Sequence, residues 1–557
     1  KSSPTRSAEE LRENSSYVHL SREPLAHAWA RGARKRGGGR APSPRFVFGL
    51  TSSQELWQSA ESRVHSAIMD ETRLGEARSW AQSVFGEAKL GDIRRTRRLI
   101  AVTATVALQP AGTIAAVFDN PAELAGAYDL VENDALDPQE LVRCLARDAA
   151  RRAISYPFVW VPTDGTAQAV TDRQKVKGTG RIGTTRQRAR GDKLHDALVL
   201  DPDGVPLGIS CVIDWQRSDT PARKSHGRRD TQDKETQRWL QARAQTRKQL
   251  HDHAPDLVIH FLHDREADAW PVLWDAVEHR ENEFTTVRAQ WDRRLVDDAV
   301  APDEPHVGRL REALDRTPVC GQMEVEVAAG PGRQARTATF SVRACTVTLD
   351  LRDKRHQTHR AAPMGVVCVR EVSAVPLGEQ PLEWLLLTTY PVDTFEGCCH
   401  VVRGYVLRWR IERFHAAWKT AGTDLEGMQL WEASHRSRWR LILAAVAVLL
   451  LRWQVLSTTR PNTDASEVFT NEQVEAVRDL QKDVVVPETG AVTLWEMTVA
   501  IAYLGGWTGS RSRAPGLTVL VRGWERVTAY LIGLRRQRER AHRRQIAGKD
   551  LESEPSK

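Results

Sequence analysis

Tyr405-Val406-Leu407-Arg408-Trp409-Arg410-Ile411-Glu412-Arg413-Phe414-His415-Ala416-Ala417-Trp418-Lys419 is the stretch on which the fold turns. It holds neither Gly nor Pro, so nothing in it interrupts a helix. At about 100° per residue, Tyr405, Arg408, Glu412 and Lys419 fall within roughly a 60° arc of one face. A carboxylate flanked by two cations and a phenol suits a site that holds a metal and a phosphate together. On spacing alone a solvated salt-bridge face is the plainer reading, because Arg408 and Glu412 stand four apart. The surrounding sequence decides between the two.

Immediately upstream, Trp384-Leu385-Leu386-Leu387-Thr388-Thr389 reads as a strand leading into that helix. Between Arg288 and Arg370 the pattern alternates, as in Met323-Glu324-Val325-Glu326-Val327, and predicts a mostly antiparallel β insertion. Before the insertion, an apolar strand over 257–262 ends in His263-Asp264-Arg265-Glu266-Ala267-Asp268, which opens the next helix. Asp264 there suits a helix N-cap or a site carboxylate. A helix is expected over 233–251. Further back, Phe158-Val159-Trp160-Val161-Pro162-Thr163-Asp164 predicts a strand delivering an acid at its end. Strands over 194–200 and 205–213 are joined by the turn Pro202-Asp203-Gly204. Two strands thus bring a carboxylate to the same edge of a sheet, where sites in α/β folds gather.

The flanks differ from this core. Residues 1–68 are rich in Ser, Arg, Gly and Pro, with the basic tract Arg34-Lys35-Arg36-Gly37-Gly38-Gly39-Arg40, and are expected to be a disordered extension. Met69 is the first Met, and the natural start is expected there. From Met69 to about Ala153 the pattern is helical, with Trp80 and Val84 on one face and an arginine run at Arg94-Arg95 and Arg97-Arg98. Such a domain suits DNA binding or a solvated basic face. After Glu412, helices are expected over 441–455 and 492–504, and a basic tail over 535–544.

Composition bounds the function class. At 557 residues the chain exceeds one compact core. Its 80 basic and 72 acidic residues leave a net charge of +8, which suits a polyanion partner beside acidic chemistry. Seven scattered Cys without a Cys-x-x-Cys pair indicate neither a disulfide framework nor a zinc site, and a cytoplasmic setting is expected. The apolar run from Leu441 to Leu451, closed by Arg440 and Arg452, reads as a buried helix too short to span a bilayer, so no membrane partner is expected.

The helix spacing Tyr405-(two)-Arg408-(three)-Glu412-(six)-Lys419 resembles the signature of bacterial DDE transposases of the insertion-sequence-four family. The Tn-five-like branch is closer still, through Arg408-Trp409-Arg410-Ile411-Glu412 and Ala417-Trp418-Lys419-Thr420. The likeness runs over about 69–535. It takes in Trp80-Ala81-Gln82-Ser83-Val84-Phe85, Asp164-Gly165-Thr166, His195, Asp264-Arg265-Glu266-Ala267-Asp268, Val287-Arg288-Ala289 and Leu504-Gly505-Gly506-Trp507. Ala416, Asp129 and Gly165 depart from it.

That resemblance implies an α/β fold with a ribonuclease-H-like core over 154–455, whose β insertion covers about 289–370. A helical DNA end-binding domain (69–153) and a helical dimerisation region with a basic tail (456–557) would flank it. By the same resemblance Asp164, Asp264 and Glu412 would bind Mg²⁺, with Mn²⁺ able to substitute. Tyr405, Arg408 and Lys419 would contact phosphates, Arg288 would contact DNA, and Trp384 would stack on a flipped base. Trp384 also reads as a plain core residue. The implied partners are double-stranded DNA, at transposon ends and target, and a second copy of the chain. The implied activity is cut-and-paste transposition, and a decayed, DNA-binding repressor is the alternative.

Overall fold

The structure is a computed structural model that describes residues 18–20, 77–170, 176–183, 189–218, 229–296, 308–327, 333–353, 356–481, 485–509 and 514–552. The expected extension, its basic tract and the start at Met69 lie outside the described residues, apart from the short strand β1 (Val18–Leu20).

From Ala77 the chain is helical: α1 (Ala77–Phe85), α2 (Ile93–Leu108), α3 (Ile114–Val117), α4 (Pro121–Glu132) and α5 (Pro138–Ala153). Their starts are written locally. Asp92, Asn120 and Asp137 each accept from a backbone N–H two residues on, and Pro121 and Pro138 occupy first-turn positions. Strands β2 (Phe158–Ala169), β3 (Gly180–Arg181), β4 (Arg190–Leu200) and β5 (Pro206–Trp215) follow, then α6 (Thr236–His251). The β4–β5 turn is the one expected: Gly204 takes φ +82°, and the Asp201 carboxylate accepts from the N–H groups of Asp203 and Val205. One expectation is corrected. Asp164 does not end its strand, because β2 stays paired to β4 as far as Ala169 opposite Gly191.

Next come β6 (Val258–His263), α7 (Trp270–Glu278), β7 (Glu283–Arg288), β8 (Arg294–Leu295), β9 (Gly308–Arg309) and α8 (Leu310–Arg316). Long antiparallel strands β10 (Val319–Val327), β11 (Arg336–Asp353) and β12 (Thr358–Glu371) form the β-rich stretch, and β13 (Glu383–Thr388) closes it. The chain ends in α9 (Phe395–Leu407), α10 (Trp409–Ala416), a π turn (Ala417–Ala421), α11 (Ala433–Thr459), α12 (Asn471–Leu480), α13 (Leu494–Leu504) and α14 (Leu517–Glu552).

These elements divide into two compact units, giving a mixed α/β protein. One comprises the described residues of 18–20, 224–240 and 260–409. Its sheet runs β1-β10-β11-β12-β13-β7-β6. Both faces are covered, which is why β13 is apolar without alternation. Trp384 and Leu386 pack with Phe340, Val401, Val402 and Tyr405 on the α9 side. Leu385 and Leu387 pack with Val272, Leu273 and Leu314 on the α7 and α8 side.

The other unit comprises the described residues of 77–223, 241–259 and 410–552. Helix α11 is its axis and is longer than the sequence suggests, with 27 residues. By length and composition it could cross a membrane, yet its most apolar window is 94% buried inside the protein. The arginines that bound the apolar run do not end the helix, because they are buried and paired. Arg436 donates to the Asp192 carboxylate at 2.9 Å, and Arg440 reaches Asp192, Asp214 and Gln168. The Trp439 indole N–H donates to the Gly112 carbonyl at 2.8 Å, and that of Trp453 to the Thr498 hydroxyl at 3.0 Å. These hydrogen bonds offset the cost of burying the two indoles and the Arg436 and Arg440 guanidiniums.

Candidate functional site

Asp164 sits in mid-strand with its carboxylate accepting from the Gly165 N–H at 2.7 Å. Directly across the ladder stands Asp196 of β4. Residues so opposed share a face, with Cβ atoms roughly 5 Å apart. Asp196 is fully buried, and its Oδ2 accepts from or shares a proton with His415 Nε2 at 3.1 Å. Burial pushes the Asp196 carboxyl above its ordinary range, against the opposing pull of His415. His415 lies on α10 three residues after Glu412, so the two occupy neighbouring positions on one helix face. The Asp196–His415 pair therefore links the strand that faces Asp164 to the helix that carries Glu412. Sequence reading passed over both residues. The signal was available only through hairpin register, which sets Asp196 opposite Asp164.

The helix that opened the sequence reading is not one regular helix. At Arg408 the backbone N–H is shared between the carbonyls of Gly404 and Tyr405, and Ala417–Ala421 is a π turn. The 100° phase therefore does not carry through to Lys419, and the four side chains differ in setting. Tyr405 and Arg408 are buried, with 2% and 3% exposure. The Arg408 guanidinium lies 4.7 Å from the centre of the Trp409 ring. Glu412 and Lys419 are partly exposed. Lys419 pairs with Glu426 at 3.2 Å.

Trp384 is only 2% exposed, stacked on Phe340 with ring centres 5.7 Å apart and tilted against Tyr405 at the same distance. In this structure it is a core residue, and its face is already covered. Asp264 caps the 3-10 turn Arg265–Ala267, accepting from the Glu266 N–H at 2.8 Å, so the cap role is filled. The helix expected to follow at once begins only at Trp270. Arg288 ends β7 opposite Leu386. Among the described residues, no three His, Cys, Asp or Glu side chains form a group that could hold a metal ion. The oxygen donors of Asp164, Asp264 and Glu412 suit a hard divalent cation by chemistry. All seven Cys are free.

The helices at the start of the described chain carry the basic surface. On α2, Arg94, Arg97 and Arg98 are exposed, while Thr96, Leu99, Ile100 and Thr103 turn inward. Trp80 and Val84 are buried together on α1. Arg94 is held by Asp92, whose carboxyl is lowered to about 2 by that guanidinium and by the Arg94 N–H. Residues 77–136, spanning α1 to α4, match a family described as transposase DNA-binding. Among solved structures, a cryo-EM structure of a piggyBac transposase synaptic complex with hairpin DNA is similar at 8% identity over 73% of this chain and 76% of that chain. Its TM-score is 0.30, at which a likeness carries no argument.

Proposed function

We propose that the chain is a DNA transposase of the insertion-sequence-four type, in its Tn-five-like branch, built on a ribonuclease-H-like core. The observation that carries this reading is the match of residues 77–136 to a transposase DNA-binding family, in a stretch that folds as short helices with exposed arginines on α2. Such arginines would hold backbone phosphates and set the register of the protein on a DNA end. The order of elements adds support: an antiparallel β2–β4–β5 series, a helix, then a strand followed at once by Asp264.

Asp164, Asp264 and Glu412 are assigned the phosphodiester chemistry. Mg²⁺, or Mn²⁺ in its place, would supply positive charge for the attacking and leaving oxygens. Lys419, seven residues after Glu412, would steady a phosphate oxygen once released from Glu426. The expected course is hydrolysis of one strand, attack of the freed 3′-OH on the other strand to give a hairpin, reopening by water, and joining to target DNA. Handling two ends calls for a homodimer, acting in the bacterial cytoplasm. A DNA-binding repressor is the second reading, favoured by the Lys419–Glu426 pair, which engages a cation otherwise offered to phosphate.

Incubating the full chain with Mg²⁺ and duplex DNA bearing the element's terminal repeats separates these readings. End-specific nicks support the transposase. Binding without nicking in either metal supports the repressor, and nicking without end preference contradicts both.

A further inference from the structure

Trp291 is 57% exposed, although a free indole surface in water is costly and large aromatics usually find cover. The turn that carries it is not loose. Asp268, itself 4% exposed, accepts from the N–H groups of Gln290 and Trp291 at 2.7 and 3.0 Å and binds the Arg293 side chain. The far side of the turn is stitched down as well. Arg309 donates to the Asp292 carbonyl at 3.0 Å, and the Asp292 carboxylate accepts from the Arg311 N–H at 3.0 Å. The indole is thus presented on a rigid base.

Beside it, β8 and β9 place Arg294 directly opposite Arg309, and both are exposed. Like charges directly opposed on a ladder destabilise it unless an anion lies between them. Among the described residues of this turn, Asp268 is engaged by Arg293 and Asp292 by the backbone of α8. An exposed indole on an anchored turn, three residues before Arg294 and its cross-strand partner Arg309, matches the chemistry of a nucleobase with its flanking phosphates.

We propose that the Trp291 turn and the facing Arg294–Arg309 pair form a binding site for an unpaired stretch of DNA, the indole stacking on a base and the guanidiniums holding adjacent phosphates. The choice of DNA rests on the transposase reading. The site itself rests on the exposure, anchoring and charge just described. It would hold a strand opened during cleavage or joining, a role that the covered ring of Trp384 cannot fill as placed.

The test uses the full chain, a short labelled single-stranded oligonucleotide and a duplex of the same sequence. Trp291→Ala is expected to weaken single-strand binding about tenfold, with Trp291→Phe restoring most of it and the melting temperature unchanged. Arg294→Gln is expected to lower the salt slope by about 0.7, one phosphate contact on a single strand. Duplex binding through 77–136 should be the same in all three variants. Single-strand affinity of Trp291→Ala within about twofold of the parent overturns the proposal. So does a parent that binds duplex but no single strand, or Trp291-dependent binding to anionic vesicles that is tighter than to the oligonucleotide. Failure of the parent to bind duplex ends would instead count against the transposase reading, and the single-strand comparison would still be decisive for this site.

Discussion

Asp196 and His415 hold together two elements far apart in sequence, and neither residue can be removed cheaply. A buried carboxylate that loses the histidine hydrogen-bonded to it keeps its desolvation cost. His415→Ala is therefore expected to destabilise the unit by about 3–5 kcal/mol in chemical denaturation, with Asp196→Asn milder because the amide is uncharged. The two tryptophans give a matched contrast. Trp384→Ala should cost about 3–5 kcal/mol, since it empties a packed position against Phe340 and Tyr405. Trp291→Ala should stay within about 0.5 kcal/mol of the parent, since more than half of that side chain is already in water. A Trp384→Ala protein that melts like the parent would return Trp384 to the list of candidate base-stacking residues. Sequence could not separate these two indoles. Trp384 heads an apolar run that fits a strand covered on both faces, and only the pairing Val369 opposite Trp384 shows which face the ring takes. Asp196 was hidden for a similar reason, since its importance lies in the register of a hairpin.

At the scale of elements, charge within an apolar context was the hardest signal to read. Arg440 and Arg452 look like the ends of a buried run, yet α11 continues through both because Asp192, Asp214, Gln168 and the Pro206 carbonyl accept from them. Arg440→Met is expected to cost about 3–5 kcal/mol, because Asp214 loses its guanidinium and Asp192 keeps only that of Arg436, and adding Asp214→Asn should recover part of it. The turns and alternating strands were legible because their residues act locally: Gly204 needs φ +82°, and β10 shows its alternation in five residues.

A second element-scale device is the ring stack of His260, Tyr390 and His400. Tyr390 and His400 lie 4.2 Å apart, and His400 Nε2 stands 3.3 Å from His260 Nδ1. Burial, with Arg403 adding to it, lowers His400 to about 4, and burial holds His260 well below its ordinary value. A histidine depressed in the fold contributes stability above its unfolded pKa, about 6.5, and that stability is lost as pH falls through the folded value. Between pH about 6.5 and about 4, His400 alone should remove roughly 3 kcal/mol. His400→Phe keeps the stack but cannot titrate, so its stability should fall less steeply over that window than the parent's. Parallel pH profiles for the two proteins would refute this assignment.

For the whole molecule, the sequence conveyed an α/β protein with a helical, arginine-bearing region ahead of the strands, and the structure and the match at 77–136 agree at that level. It did not convey the division into two units, because each is assembled from segments distant in the chain. Asp164 and Glu412 belong to one unit and Asp264 to the other, and no motif spacing carries that information. The proposed function therefore rests on chemistry that DNA and metal would complete. The most direct measurement is cleavage of end-bearing duplex DNA in Mg²⁺ by the parent and by Glu412→Gln, with end binding followed in parallel. The expected result is site-specific nicking by the parent and, in the variant, unchanged end binding with cleavage lost by at least a hundredfold, on the order of 3 kcal/mol in the barrier. Nicking by Glu412→Gln at the parent's rate would contradict the assignment of Glu412, and with it the DDE transposase reading.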